Sequence, residues 1–81
     1  MNNMERFKKE VPGLVRLHRK KSGLSQAALA EMAGVGKTVI FDLEHGKMTL
    51  QLNTVLCILD ALNIEIRLLS PLLAAMKETQ V

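Results

Sequence analysis

Aromatic side chains are nearly absent from this sequence. Phe7 and Phe41 are the two among 81 residues, with no Trp and no Tyr. A core has to be built from Leu, Ile, Val, Met and Ala. Cysteine is as scarce: Cys57 stands alone. That excludes an intrachain disulfide and fits a reducing compartment, the cytoplasm by default. Cys57, His18 and His45 show no ligand spacing, so no metal site is expected. No run approaches the roughly 18 apolar residues of a membrane span. The polar, charged N-terminus lacks the apolar stretch of a signal peptide. GxGxxG, P-loop and HExxH patterns are missing too. Ser22, Ser25 and Ser70 have no base placed near them by spacing. Asp42 and Glu44 are two apart on a helix and do not face each other. The expectation is no enzyme, no catalytic residues and no cofactor.

Apolar residues nonetheless make up 48% of the chain, enough for one packed domain. A domain this short buries only about 60% of the surface of its unfolded chain. With no disulfide or metal to help, that points to a tidy fold or an oligomer. Net charge is a modest +3, but residues 1–25 hold seven basic side chains against two acidic ones, a local +5. The remaining 56 residues carry −2. A basic end on a near-neutral body suits a polyanion binder, and suits a merely solvated Lys-rich helix as well.

Residues 1–10 read as a flexible basic arm or as the first turn of a helix. Pro12 suits a helix N1 position. A first helix follows to Gly23, with Leu14, Val15 and Leu17 on one side and Arg16, Arg19 and Lys20 on the other. Ser25 is the natural N-cap of a second helix, Gln26–Ala33, which stops at Gly34. A third helix, Lys37–His45, comes after only Val35 and Gly36 and ends at Gly46. Two short helices joined by a tight turn containing Gly have the sequence shape of a helix-turn-helix.

Thr49 is the expected cap of a fourth helix, Leu50–Leu62. Val55, Ile58, Leu59 and Leu62 form one stripe, and Leu52, Leu56 and Cys57 add apolar surface elsewhere. A helix apolar nearly all round needs covering nearly all round. Ile64–Leu69 then alternates apolar and polar, the only strand signal in the chain. A lone strand leaves its backbone unpaired. The simplest resolution is an antiparallel pairing with the same strand of a second subunit, Glu65 facing the partner's Arg67. Alternatives are pairing with residues 1–8 or a further helix turn. In the dimer reading, Leu56, Leu59, Ile64, Glu65, Ile66, Arg67 and Leu68 form the interface. Ser70-Pro71 opens a short tail helix, and 77–81 reads as frayed. The expected organisation is a flexible basic arm (1–10), a helix-turn-helix and dimerisation domain (11–69) and a tail (70–81).

Leu24-Ser25-Gln26-Ala27-Ala28-Leu29-Ala30, then Ala33-Gly34-Val35, then Ile40 through Lys47 resemble the DNA-binding domain of the phage-repressor (Xre-type) helix-turn-helix family. The resemblance covers about residues 14–62. It implies an all-α fold of four to five helices, here with one C-terminal strand in an intersubunit two-stranded antiparallel sheet. It also implies roles for particular side chains. Gln26, Gly36, His45 and Lys47 fall at phosphate-contacting positions, and the basic first helix adds Arg16 and Lys20. Lys37, Thr38, Phe41 and Asp42 fall where the recognition helix reads bases. Lys37 suits guanine or a phosphate. Phe41 stands where a polar residue is usual, and either meets thymine methyls or packs within the protein. Asp42 either accepts from cytosine or is tolerated. Arg19 and Glu44 match a family ion pair.

The run Leu-Asp-Ala-Leu-Asn (59–63) followed by Ile-Glu-Ile-Arg-Leu (64–68) is similar to the HipB-like, Y4mF-type antitoxins. That resemblance implies a homodimeric repressor bound to an inverted-repeat operator in the nucleoid. It also implies a HipA-like kinase toxin as partner. The alternatives are a regulator of the same fold without a toxin, or an interaction module that has lost DNA binding.

Overall fold

The computed structural model describes residues 1–79, with side chains for residues 1–78. Five helices follow in chain order: α1 (Asn3–Lys21), α2 (Gln26–Ala33), α3 (Lys37–Glu44), α4 (Leu52–Ala61) and α5 (Leu73–Thr79). The fold is all-helical, with no strand among the described residues. α2 packs against α3 and α4, and α1 against α3. Their contact faces supply an aliphatic core of Val15, Leu29, Ala30, Ile40, Leu43, Val55, Ile58, Leu59 and Leu62.

Four helices end in the same way. The chain turns left-handed at Gly23, Gly34, Gly46 and Asn63, with φ between 57° and 83°. At each, the following residue donates back to the carbonyl three positions inside the helix end: Leu24 to Arg19, Val35 to Ala30, Lys47 to Asp42 and Ile64 to Leu59. The turn residue itself donates to the next carbonyl along: Gly23 to Lys20, Gly34 to Glu31, Gly46 to Leu43 and Asn63 to Asp60. This is the Schellman closure, which satisfies the last carbonyls of a helix and folds the next side chain back over it. Leu24, Val35 and Ile64 are thereby packed against the core. α2 is closed at its start as well, where Ser25 Oγ accepts from the Ala28 amide at 3.0 Å.

Several sequence expectations need correction. The first helix begins at Asn3, so residues 3–10 are helical rather than an arm. Asn2 is its cap, its side chain accepting from the Glu5 amide at 2.8 Å. Pro12 consequently lies inside α1, not at its first position. The helix gives up one backbone hydrogen bond there. In return it carries Phe7, Val11 and Val15 down one stripe onto the core. The fourth helix starts at Leu52, with Gln51 and not Thr49 before it.

Leu59, expected on the dimer interface, is only 2% exposed and belongs to the core. Only part of α4 is unaccompanied: Leu52, Leu56 and Cys57 are exposed.

Within one chain, residues 64–69 form no strand. Ile64 is half-buried against the core, while Ile66 and Leu68 are exposed. Ile64 to Arg67 line a groove with Phe7, Val11 and Leu14 of α1, so within one chain the segment lies beside α1. Glu65 and Arg67 pair with each other at 3.4 Å, both exposed. Ser70 Oγ accepts from the Leu72 amide at 3.1 Å, and α5 opens one residue later. The expected fraying of 77–81 lies partly outside the described residues. The radius of gyration is 14.6 Å, against about 12 Å for a compact chain of this length. Leu69 at 94% exposure and Leu72 at 72% mark the segment that projects.

Candidate nucleic-acid interface

α3 has two unlike sides. Ile40, Leu43 and Glu44 are buried, and Lys37, Thr38, Phe41 and His45 are exposed. Lys37, Phe41 and His45 are four residues apart and therefore stand in one outward ridge. Gln26, the first residue of α2, lines a shallow depression together with Lys37, Thr38 and Phe41. The packing of α2 on α3 thus brings four of the expected DNA-facing residues to one surface. Gly36 precedes α3 and supplies no side-chain cap. The first amides of the recognition helix are left without a side-chain acceptor.

The scaffold behind this surface is a buried ion pair. Arg19 Nε donates to Glu44 Oε2 at 2.7 Å, and Nη2 donates to Oε1 at 2.9 Å. The remaining guanidinium edge is used too, Nη1 donating to the Leu24 carbonyl at 2.9 Å. The turn after α1 presents that carbonyl. Arg19 and Glu44 therefore tie α1, the α1–α2 turn and the end of α3 into one unit with the bidentate geometry that arginine favours. Burial is the largest single influence on the Glu44 carboxyl and pushes it up, but the bonds and the charge of Arg19, with Gln26 and the charge of Arg16, together outweigh it and hold the group below its ordinary value. The Glu44 bonds in turn raise the pKa of Arg19. Gln26 Nε2 sits 3.5 Å from Glu44 Oε1, so the side chain at the head of α2 is lightly tethered to the same carboxylate.

Arg16 and Lys20 are exposed on α1. The charge of Arg16 favours the ionised Glu44 carboxyl.

Two relations among the expected residues are not visible from spacing alone. Lys47 and Asp42, assigned to phosphate and base, are bonded to each other at 3.4 Å. The Schellman turn at Gly46 causes this, because it returns Lys47 to the carbonyl of Asp42 and lays its side chain over the helix. The Asp-x-x-x-Gly-Lys order carries that signal. Phe41, for which burial was one alternative, is exposed and stacks on His45 with ring centroids 3.9 Å apart. His18 is half-buried on α1. Among the described residues no cluster of His, Cys, Asp and Glu has the geometry to hold a metal ion. No helix among them is long and apolar enough to cross a membrane.

Comparison with known proteins agrees with this geometry. A profile of the helix-turn-helix family matches residues 15–69, from the middle of α1 through the segment after α4. A protein of Sinorhizobium fredii (strain NBRC 101917 / NGR234), described as the uncharacterized HTH-type transcriptional regulator y4mF, is 45% identical over 62 residues. The match takes in 76% of this chain and 82% of that protein. The chain belongs to the Xre-type helix-turn-helix family of transcriptional regulators, on the Y4mF-type side of it.

Proposed function

We propose that the protein is a homodimeric repressor that binds an inverted-repeat operator through α3, and that it serves as the antitoxin of a toxin–antitoxin operon. The observation that carries the DNA-binding part is the ridge of α3: Lys37, Thr38 and Phe41 exposed, with Gln26 of α2 beside them. In this reading Lys37, Thr38 and Phe41 enter the major groove. Gln26, the uncapped amides after Gly36, and Arg16 and Lys20 of α1 hold the phosphates. Asp42 and Lys47 stand at the rim as a pair, the acid neutralised on the side that faces a polyanion and the amine still half-exposed.

The dimer part rests on the segment after α4. Among the described residues, no backbone hydrogen bond involves residues 65–69. Ile66 and Leu68 are exposed, as is Leu56 on α4. Antiparallel pairing of Ile64–Leu68 with its copy would satisfy that backbone and cover those side chains. The antitoxin part rests on the similarity of residues 59–68 to HipB-like proteins, with a HipA-like kinase as the toxin. The projecting tail, with Leu69 and Leu72 uncovered, is the surface left over for such a partner. A stand-alone regulator shares all but this last feature. Co-purification with a kinase encoded next to it separates the two.

A gel-shift series on DNA upstream of the gene tests the reading. Binding should weaken steeply with salt, and the protected half-sites should lie about 34 Å apart. Absence of salt-sensitive binding to every fragment would overturn it.

A further inference from the structure

The ridge of α3 carries a feature that hydrogen bonding to base edges leaves unused: an exposed aromatic pair. Phe41 and His45 stack at 3.9 Å with their planes 23° apart. His45 Nδ1 lies 2.7 Å from the Phe41 carbonyl oxygen. A carbonyl oxygen only accepts, so Nδ1 carries the hydrogen. The imidazole is thus held at its edge by the backbone of Phe41 and lies flat on the ring of Phe41. An exposed Phe would otherwise exchange among rotamers. Here one side of the ring is occupied, while the side chain as a whole remains 48% exposed.

The surroundings of the ring matter as much. Phe41 is the apolar wall of a depression whose other lining residues, Gln26, Lys37 and Thr38, are polar. The adjacent acid, Asp42, is engaged by Lys47 at 3.4 Å. The carboxylate next to Phe41 in the sequence is therefore occupied, and it is half-buried as well. A held apolar face among hydrogen-bonding neighbours matches one chemical group in the major groove, the 5-methyl of thymine.

We propose that Phe41 reads a thymine methyl in each operator half-site, with His45 as the positioning residue that holds the ring for it. The inference rests on the DNA-binding reading above and deepens it. It makes Phe41 a specificity-determining residue and moves discrimination away from Asp42.

The test uses the full chain and a duplex selected by the wild-type protein from a randomised library. Each thymine of the half-site is replaced in turn by uracil, which removes the methyl and keeps every hydrogen-bonding group. At one position the substitution should weaken binding about fourfold, the worth of one buried methyl. Phe41→Ala should bind more weakly and no longer distinguish thymine from uracil at that position. Its slope of log affinity against log salt should stay unchanged, because no phosphate contact is lost. His45→Ala should lose the discrimination in part, and His45→Phe, which keeps the stack, should restore it.

If no thymine in the half-site matters, the proposal is wrong while the DNA-binding reading stands. The same holds if Phe41→Ala weakens the thymine and uracil duplexes equally. If the wild type selects no duplex at all, both fall together.

Discussion

From Asn3 to Ile64 the chain closes itself; from Glu65 to Leu72 it does not. In the first stretch four helices end in left-handed turns that return hydrogen bonds to their last carbonyls. Every fully buried large side chain comes from α1 to α4. No buried side-chain nitrogen or oxygen among the described residues lacks a partner. In the second stretch Leu68, Leu69 and Leu72 are each more than 70% exposed. The same sequence thus contains a unit complete in one copy and a segment whose apolar residues and backbone await another surface. Position is the lesson. The self-sufficient part presents the ridge proposed to face DNA, and the unfinished part follows it, where the proposed second copy would join two ridges.

The largest effect that would blur this contrast is in the body. Arg19→Ala leaves Glu44 buried without its cation, and should cost about 3–5 kcal/mol in urea unfolding. The fold should then approach the marginal state that the second stretch already occupies. The companion test is pH. The Glu44 carboxyl is held below its ordinary value. A depressed carboxylate contributes stability above the ordinary carboxylate range, and that stability is lost as pH falls through the folded-state pKa. Acid unfolding should therefore be steeper for the wild type than for Glu44→Gln, although the variant is less stable near pH 7.

In the second stretch, Ile66→Pro should abolish the dimer in sedimentation equilibrium, since a proline removes a ladder donor. The same variant should change the stability of the body by only about 0.5 kcal/mol or less at protein concentrations too low for dimers. An intact dimer would show that the two copies meet elsewhere. At the DNA-facing ridge, Lys37→Ala should lower operator affinity by about 1–3 kcal/mol if it reads guanine. If it meets only phosphate, the loss should be uniform across sequences, with a salt slope smaller by about 0.9. The smallest effect belongs to Lys47→Ala. Its partly exposed bond to Asp42 should contribute under about 1 kcal/mol to folding.

How much of this was legible in the sequence depended on how local the cause was. α2 and α3 are readable nearly to the residue, because Ser25, Gly34 and Gly46 act within one turn of themselves. The Arg19–Glu44 pair spans 25 positions and no spacing rule reaches it; only the resemblance to a family implies it. Pro12 misleads, since its preference for a first turn is outweighed by the Asn2 cap and the Phe7–Val11–Val15 stripe. Leu59 misleads as an interface residue, since α4 is apolar nearly all round and the packing of α2 on α4 decides which side is covered. The Phe41–His45 stack and the Asp42–Lys47 bond depend on how a helix end turns. Their ingredients are in the sequence, but their contact belongs to the fold.

The central claim is that α3 delivers a sequence-specific DNA contact from a dimer. Fluorescence anisotropy with a labelled duplex from the upstream region, titrated at several salt concentrations, measures it directly. The account predicts two chains per duplex, affinity falling steeply with salt, and a clear loss for Lys37→Ala. Binding by a single chain, or an affinity indifferent to both salt and Lys37→Ala, would contradict it.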